Sequence, residues 1–509
     1  MRSDRGAIPD GVRYELQTKE IHMNIRTYRP LTDEDILAVH DASMEILETV
    51  GVKVELKKIR GILADIGCVV NEGTKVVSFP PKVVSDHVGK APREFIISGA
   101  DPQLQWTMNP EARIYGGLGT AVNMYDLISG EYVESTRQHN LNHMILIDAS
   151  ENIHTNQTDI TPTDIPMHTV HVKTFRDWFV NCRKSSGMGA FGVMATTDMM
   201  EMLSIAVGGR VAIEKRHPYL VIVSIQSPLS SAQMQLEGLM ILAETGQPAL
   251  LSPECMAGTT APVTLAGLIA QHNAEVLSHV VMAQAVNPGT PVMYGTVSTI
   301  SEMRRGTTAL GSVETGIISA SLAQMAHHYD LPCRGVAGAT ESKTMDVQCG
   351  AERMRSMTLA AMGGVNLITC AGTLESTTAG AHELVLIDDE LASSIERAIG
   401  GVTVDGTHIA LDVIQRVGPD GNFLMEPHTQ QHFRTEHLMT KLSNLDKRDV
   451  WEREGMRDMA ILAREKAKKI LADHQPRELD PKLISELDRY VKTVEERSVD
   501  DFFAAEWEA

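Results

Sequence analysis

Residues 291–339 read PVMYGTVSTISEMRRGTTALGSVETGIISASLAQMAHHYDLPCRGVAGA, and the fold turns on them. A short apolar run at 291–298 predicts a strand. After it, Val313, Ile317, Ile318, Leu322, Met325, Ala326 and Tyr329 recur at helical spacing and share one face. Pro332 punctuates, and a second short apolar run at 333–339 predicts another strand. Strand, helix, strand is the unit from which parallel α/β sheets are assembled.

The same beat extends in both directions. Strands are predicted at 113–119, 153–159, 184–191, 219–226 and 249–255 before this stretch, and at 365–371 after it. Helical segments fill the intervals; 264–286 and 347–362, for example, are rich in Ala and Met. Eight strands each followed by a helix point to an α/β protein built on a (β/α)8 TIM barrel. A doubly wound sheet is the competing arrangement, but Gly116-Gly117-Leu118-Gly119 runs on to Thr120-Ala121-Val122 without completing a dinucleotide fingerprint. The strands mix Gly, Ser and Thr with few bulky residues, which leaves room for a ligand at the barrel mouth. Asn123–Ser135, NMYDLISGEYVES, reads as a hairpin insertion turning at Ser129-Gly130.

Flanking this core, residues 1–110 are expected to form a polar arm and a small α/β lead-in, with a capped helix beginning at Thr32-Asp33-Glu34-Asp35 and stopped by Gly51. The barrel is assigned to 111–400. Residues 401–509 are read as an irregular segment followed by charged helices that pack on the barrel or on another subunit, so a homo-oligomer is one expectation.

The chain has 509 residues, 46 basic and 66 acidic, for a net charge of −20. An acidic chain supplies no broad positive field for a phosphate backbone, so a nucleic-acid partner is not expected. With 43% hydrophobic and 22% charged residues, it is globular in composition. Six cysteines, at 68, 182, 255, 333, 349 and 370, stand singly with no CxxC, which suits a reduced, cytoplasmic compartment. The first residues lack the apolar core of a signal peptide, and every apolar stretch is broken before the ~18–20 residues of a membrane span.

Functional groups in a barrel sit at the C-terminal ends of the strands and in the loops beyond. That rule selects Gln157, Asp159, Gln226, Glu254, Tyr294 and Arg304, then Glu341, Lys343, Asp346 and Gln348 after the seventh strand, and Glu375 after the eighth. Carboxylates converging on one mouth suit a cationic ligand or acid–base work. The plainer reading is that most of them solvate a rim, and that Asp346 caps a helix. Tyr294 is either a π face for a quaternary ammonium, worth ~0.5–2 kcal/mol, or a core tyrosine with a hydrogen-bonded hydroxyl. Arg304 and Arg305 either clamp a carboxylate or pair with Glu302.

The pairs His139/His143, His168/His171 and His428/His432 have helical spacing. No second His completes HExxH after His382-Glu383, and the cluster Glu426, His428, His432 and His437 reads as structural, so no resident metal is expected. No GxSxG elbow or Walker loop occurs.

Four segments carry a resemblance. They are LTDEDILAVHDASMEILETVGVKVE (31–55), GTVSTISEMRRGTTALGSVETG (295–316), ATESKTMDVQCGAERM (339–354) and GPDGNFLMEPHTQQHFRTE (418–436). In this order they resemble the trimethylamine methyltransferase family, a family of TIM barrels that pass a methyl group from a methylated amine to the cobalt of a separate corrinoid protein. The founding members carry pyrrolysine at the barrel mouth. This chain carries none, and its pattern is most similar to the branch that acts on glycine betaine.

The resemblance implies a corrinoid (cobalamin) carried by a partner protein, and a small quaternary amine as methyl donor. A quaternary ammonium bears a permanent charge and departs as a neutral tertiary amine, so no special electrophile is needed. Glu254, Glu341 or Asp346 would offset the cation, with Glu341 and Asp346 nearest the chemistry, and Tyr294 would pack on it. Arg304 or Lys343 would hold a substrate carboxylate, with Gln157 also lining the site. The corrinoid-protein signature DxHxxG is absent, so a docking partner has to bring that group. Carnitine, proline betaine or choline are alternative donors. A betaine-binding barrel without activity and a lyase using Lys343 as a Schiff base are alternatives of other kinds.

Overall fold

The computed structural model describes residues 28–507 apart from Leu118; most of the polar arm therefore lies outside the described residues. Eight parallel strands form the central sheet: β1 (Ile114–Gly117), β2 (Ile153–Thr155), β3 (Ser186–Gly189), β4 (Tyr219–Ile225), β5 (Ala249–Pro253), β6 (Val292–Gly295), β7 (Cys333–Val336) and β8 (Leu367–Ala371). Each lies inside the stretch its sequence predicts. They pair in chain order from β3 to β8, β8 pairs with β1, and β1 with β2. A parallel bridge between Thr155 and Ser185 brings β2 to the start of β3, which nearly closes the barrel. The helices that follow the strands are α1 (Arg137–Ala149), α2 (Val170–Asn181), α3 (Gly192–Val207), α4 (Gln233–Glu244), α5 (Leu265–Val286), α6 (Val313–His328), α7 (Val347–Met362) and α8 (His382–Ile399). The protein is a TIM-type barrel.

Side chains alternate across each strand, and the register shows which of them enter the lumen. Ile114 pairs with Leu367, Leu250 with Ile222 and Met293, and Gly295 with Arg334 and Leu367 with Arg334 in neighbouring ladders. At the N-terminal end, Ile114, Leu220, Leu250, Met293 and Leu367 pack with Phe95, Ile97 and Met108 from an antiparallel hairpin, Phe95–Ser98 with Gln105–Met108. That hairpin plugs one end of the barrel with hydrocarbon. Towards the other end the inward positions become Ser224, Ser252, Gly295, Arg334 and Thr369. The lumen thus opens and turns polar at the C-terminal face.

Two small sheets wall that face. One joins Met256–Ala257, Thr299–Glu302 and Thr307–Thr308; the other contains the expected Asn123–Tyr125 and Tyr132–Glu134 hairpin. In the lead-in, the Asp33–Glu45 helix starts at Thr32, whose hydroxyl accepts from Asp35 N–H while Asp35 reciprocates at the Thr32 N–H. This helix packs on α5.

Residues Glu396–His437 form a compact unit of their own, and the rest of the described chain forms another. The stretch expected to be irregular contains three helices, Gly406–Ile409, Leu411–Val417 and Pro427–Glu436. Their residues are almost entirely unburied, Val413 excepted, so no apolar periodicity marks them in the sequence. Beyond them, Met459–Asp473 packs on α1, Pro481–Glu495 on α2 and α3, and Val499–Trp507 on α3. No helix among the described residues is long and apolar enough to cross a membrane.

Candidate active site at the barrel mouth

A cavity of about 750 Å³ opens at the C-terminal face, in the size range of pockets for small organic ligands. Its floor is Ile222, Ser224 and Arg334 from the strands, and its walls include Gln157, Thr158, Phe191, Glu254, Val297 and Leu310. Phe502, from the last helix, lines it as well.

Glu254 follows β5 directly and faces this space. Its carboxylate has no hydrogen-bond or ion-pair partner among the described residues, and burial pushes its pKa above the ordinary 4.5. The side chain is nevertheless exposed to the cavity, and a carboxylate without a partner in such a place is able to receive a cation.

Arg334 sits in β7 at 3% exposure. Its one described hydrogen bond is long, from Nη1 to Ser252 Oγ at 3.3 Å, and its buried Nε has no partner. Burial lowers its pKa to about 10, while the nearby Asp159 charge works the other way. The guanidinium therefore stays protonated at neutral pH. Asp159 is buried too, with Oδ2 3.1 Å from His143 Nε2 and Oδ1 unpartnered. Close approach here requires glycine: a Cβ on Gly117 would meet the Asp159 carboxyl at 1.8 Å, and one on Gly295 would meet Ser252 Oγ at 2.2 Å. Gln157 completes the set, with both amide atoms buried and unpartnered.

The remaining sequence-selected residues lie elsewhere. Glu341, Lys343 and Asp346 border a second depression of about 600 Å³, beside Arg305, Glu352 and Arg355; Thr308 lines both spaces. Asp346 caps α7, accepting from Cys349 N–H and from Ser342 Oγ at 2.9 Å each, and the Cys349 bond leads in holding its pKa below the ordinary value. Glu341 Oε1 ties two loops, accepting from Gly311 N–H at 3.1 Å and from Ser376 Oγ at 2.5 Å. Lys343 Nζ donates to the Glu341 carbonyl at 2.6 Å.

Two more of the selected residues, Arg304 and Tyr294, do not line the cavity. Arg304 is on the surface, with its side chain 84% exposed, and pairs with Glu302 at 3.0 Å. Tyr294 turns away from the lumen: it is in register with Leu251 and Cys333, one position before inward Gly295. Its ring lies beside His272 of α5, its hydroxyl donates to Asn273 Oδ1 at 3.0 Å, and burial raises its pKa well above the ordinary value.

Several histidines make contacts within the fold, and His171 also lines the cavity. His139 completes the cap of α1 with Thr136, and His143 meets Asp159. His171 Nε2 is 2.9 Å from Asp198 Oδ2. Asp198 also accepts two bonds from Arg497, at 2.6 and 2.8 Å, and one from Tyr490 at 2.8 Å. Burial pushes the Asp198 carboxyl up, but these donors outweigh it and hold it below its ordinary value. Phe502 stacks on His171, with ring centroids 6.1 Å apart. Among the described residues, no three His, Cys, Asp or Glu side chains come together as a metal site.

Arg334, Phe191 and Phe502 were not selected by sequence reasoning, which looked past the strand ends. A signal for Arg334 was available. Arginine is almost never fully buried without a task, and here it stands in the otherwise apolar and small run CRGVAGA.

A parallel barrel whose open mouth presents a carboxylate without a described partner and an under-bonded guanidinium has the chemistry to receive a small charged molecule. Sequence comparison assigns it: residues 1–498 match the family Trimethylamine methyltransferase (MTTB), and the chain belongs to that family of methyltransferases. It is similar to the glycine betaine methyltransferase of Desulfitobacterium hafniense strain Y51, 32% identical across 91% of this chain and 96% of that one. It is also 31% identical to the trimethylamine methyltransferase MttB of D. hafniense strain DSM 10664 / DCB-2, across 91% and 94%. Among solved structures, the monomethylamine methyltransferase of Methanosarcina barkeri matches 88% of this chain and 95% of its own, with 10% identity and a TM-score of 0.48.

Proposed function

We propose that the protein transfers a methyl group from a quaternary amine, glycine betaine first, to the Co(I) of a corrinoid carried by a separate protein. The observation that carries this reading is Glu254, a carboxylate without a partner among the described residues that lines the same cavity as Ile222, Val297, Leu310 and Phe191. A permanent ammonium is the complement of such a group. Ile222, Val297 and Leu310 keep water from the cation, and Phe191 offers it a π face. One relative, the glycine betaine methyltransferase, supports this donor by analogy, although the MttB relative is almost as similar.

In the reaction the acceptor cobalt supplies an electron pair to the methyl carbon. The carbon–nitrogen bond breaks, and its pair stays on nitrogen, which leaves as the neutral tertiary amine dimethylglycine. The chain moves no proton. Its residues bind and align the donor and enclose the reacting methyl, so losses on mutation are graded.

The cavity volume favours a second reading within the same chemistry. About 750 Å³ exceeds what glycine betaine fills and admits a longer donor such as carnitine or proline betaine. The test mixes the protein with each quaternary amine and a corrinoid protein reduced to Co(I). Formation of methyl-Co(III) is followed spectrally and the demethylated amine is identified. A spectrum that stays unchanged with every amine overturns the reading, and the ranking of rates selects the donor.

A further inference from the structure

We propose that Arg334 and Gln157 bind a carboxylate of the methyl donor, which makes the substrate class ammonium carboxylates and excludes carboxylate-free amines such as choline. The inference rests on the methyltransferase reading of the cavity and adds the group that selects the substrate.

Buried polar atoms in folded proteins find partners with few exceptions, and each exception asks for a reason. Such exceptions occur elsewhere in this protein too, but among the described residues Arg334, Gln157 and Gln235 bring theirs to the lining of one cavity. Arg334 is 3% exposed and Gln157 also 3%, and both line the cavity. Among the described residues, the Arg334 Nε and both Gln157 amide atoms lack any hydrogen-bond partner. A buried guanidinium held by one 3.3 Å bond to Ser252 is under-bonded for a group with five N–H donors. Asp159 supplies charge at a distance, yet no hydrogen bond joins it to Arg334, and its own Oδ1 is free. A planar carboxylate entering the cavity offers two acceptors to this fork and another to the Gln157 NH₂. The sequence protects the arrangement, because Gly295 beside Arg334 admits no Cβ without striking Ser252 Oγ at 2.2 Å.

Glu254 faces the same cavity at the end of β5. One site then holds one free negative and one under-bonded positive group, the pattern complementary to a zwitterion. Arg304 and Lys343, the other cations considered for this role, do not line the cavity.

Calorimetric titration of the full chain tests this without any corrinoid. The probes are glycine betaine, its methyl ester and choline. Wild type should bind glycine betaine at least about 30-fold more tightly than either carboxylate-free probe. Arg334→Gln should weaken glycine betaine about 30-fold or more and Gln157→Leu about tenfold, with the probes changing less than about threefold. Equal binding of betaine and its ester by wild type overturns the proposal even if the Arg334 variant fails to fold. So does an equal loss of betaine and choline in a folded variant, which is the mark of a structural arginine. Betaine binding without methyl transfer would sink the methyltransferase reading and leave this one standing; methyl transfer from choline at the betaine rate would do the reverse.

Discussion

Glu254, the proposed receptor for the cation, is exposed to the cavity yet partly desolvated, and desolvation sets the range in which it carries charge. A carboxylate with a raised pKa is neutral over part of the acidic range in which an exposed one is charged, and a neutral group offers nothing to a cation. Affinity for a quaternary ammonium should therefore fall as pH drops through the raised pKa, above 4.5, and binding should release protons there. Glu254→Gln should weaken binding about tenfold at neutral pH, about 1.4 kcal/mol, and flatten the pH profile. Titrations at several pH values in two buffers of different ionisation enthalpy check both points. A variant that keeps the pH dependence would remove Glu254 from the cation site. Tyr294→Phe is the control: it should leave affinity unchanged and lower stability by about 1 kcal/mol, the worth of its bond to Asn273. The site was only partly legible in the sequence at this scale. Position after a strand end was readable, and Gln157 and Glu254, selected in that way, line the cavity. Lumen orientation was not readable for Arg334 and Tyr294, because it depends on strand register, which one sequence does not display.

Among the elements, strands such as β4, β5 and β6 were legible as short apolar runs, β2 and β3 by their place in the strand–helix beat, and the helices because one apolar face had to be buried against the sheet. The helices of Glu396–His437 were not, since they bury almost nothing and leave no periodic trace. The small-residue content of β6 and β7, odd for a tight core, has its explanation in close approach. Gly295→Ala forces Ser252 Oγ and the Leu251 carbonyl aside, and overpacking of this kind costs about 1–3 kcal/mol. The variant should melt earlier and bind glycine betaine more weakly, since Ser252 is the residue that holds Arg334. Unchanged melting and affinity would mean the lumen is looser than described. The last two helices are fastened in part through Asp198, which takes bonds from Arg497 and Tyr490 and meets His171; Arg176 with Asp488 and Lys173 with Glu495 add to this. Asp198→Asn should destabilise the protein by about 3 kcal/mol and expose residues beyond 480 to limited proteolysis early.

For the molecule as a whole, the last helix is part of the cavity wall, through Phe502. A chain ending at Ser498 should open that wall, and the ratio of kcat/KM for carnitine to that for glycine betaine should rise several-fold; a constant ratio would show that Phe502 does not limit donor length. A larger consequence follows from the hydrocarbon plug made by Phe95, Ile97 and Met108. A barrel sealed at one end has a single doorway. Donor and acceptor must both use it, and a corrinoid protein seated over the mouth bars the way to any amine still outside. Turnover then has a compulsory sequence: amine in, acceptor on, acceptor off, demethylated amine out. Excess corrinoid protein should act as a competitive inhibitor against the amine, a kinetic signature that originates at the opposite end of the barrel from the chemistry.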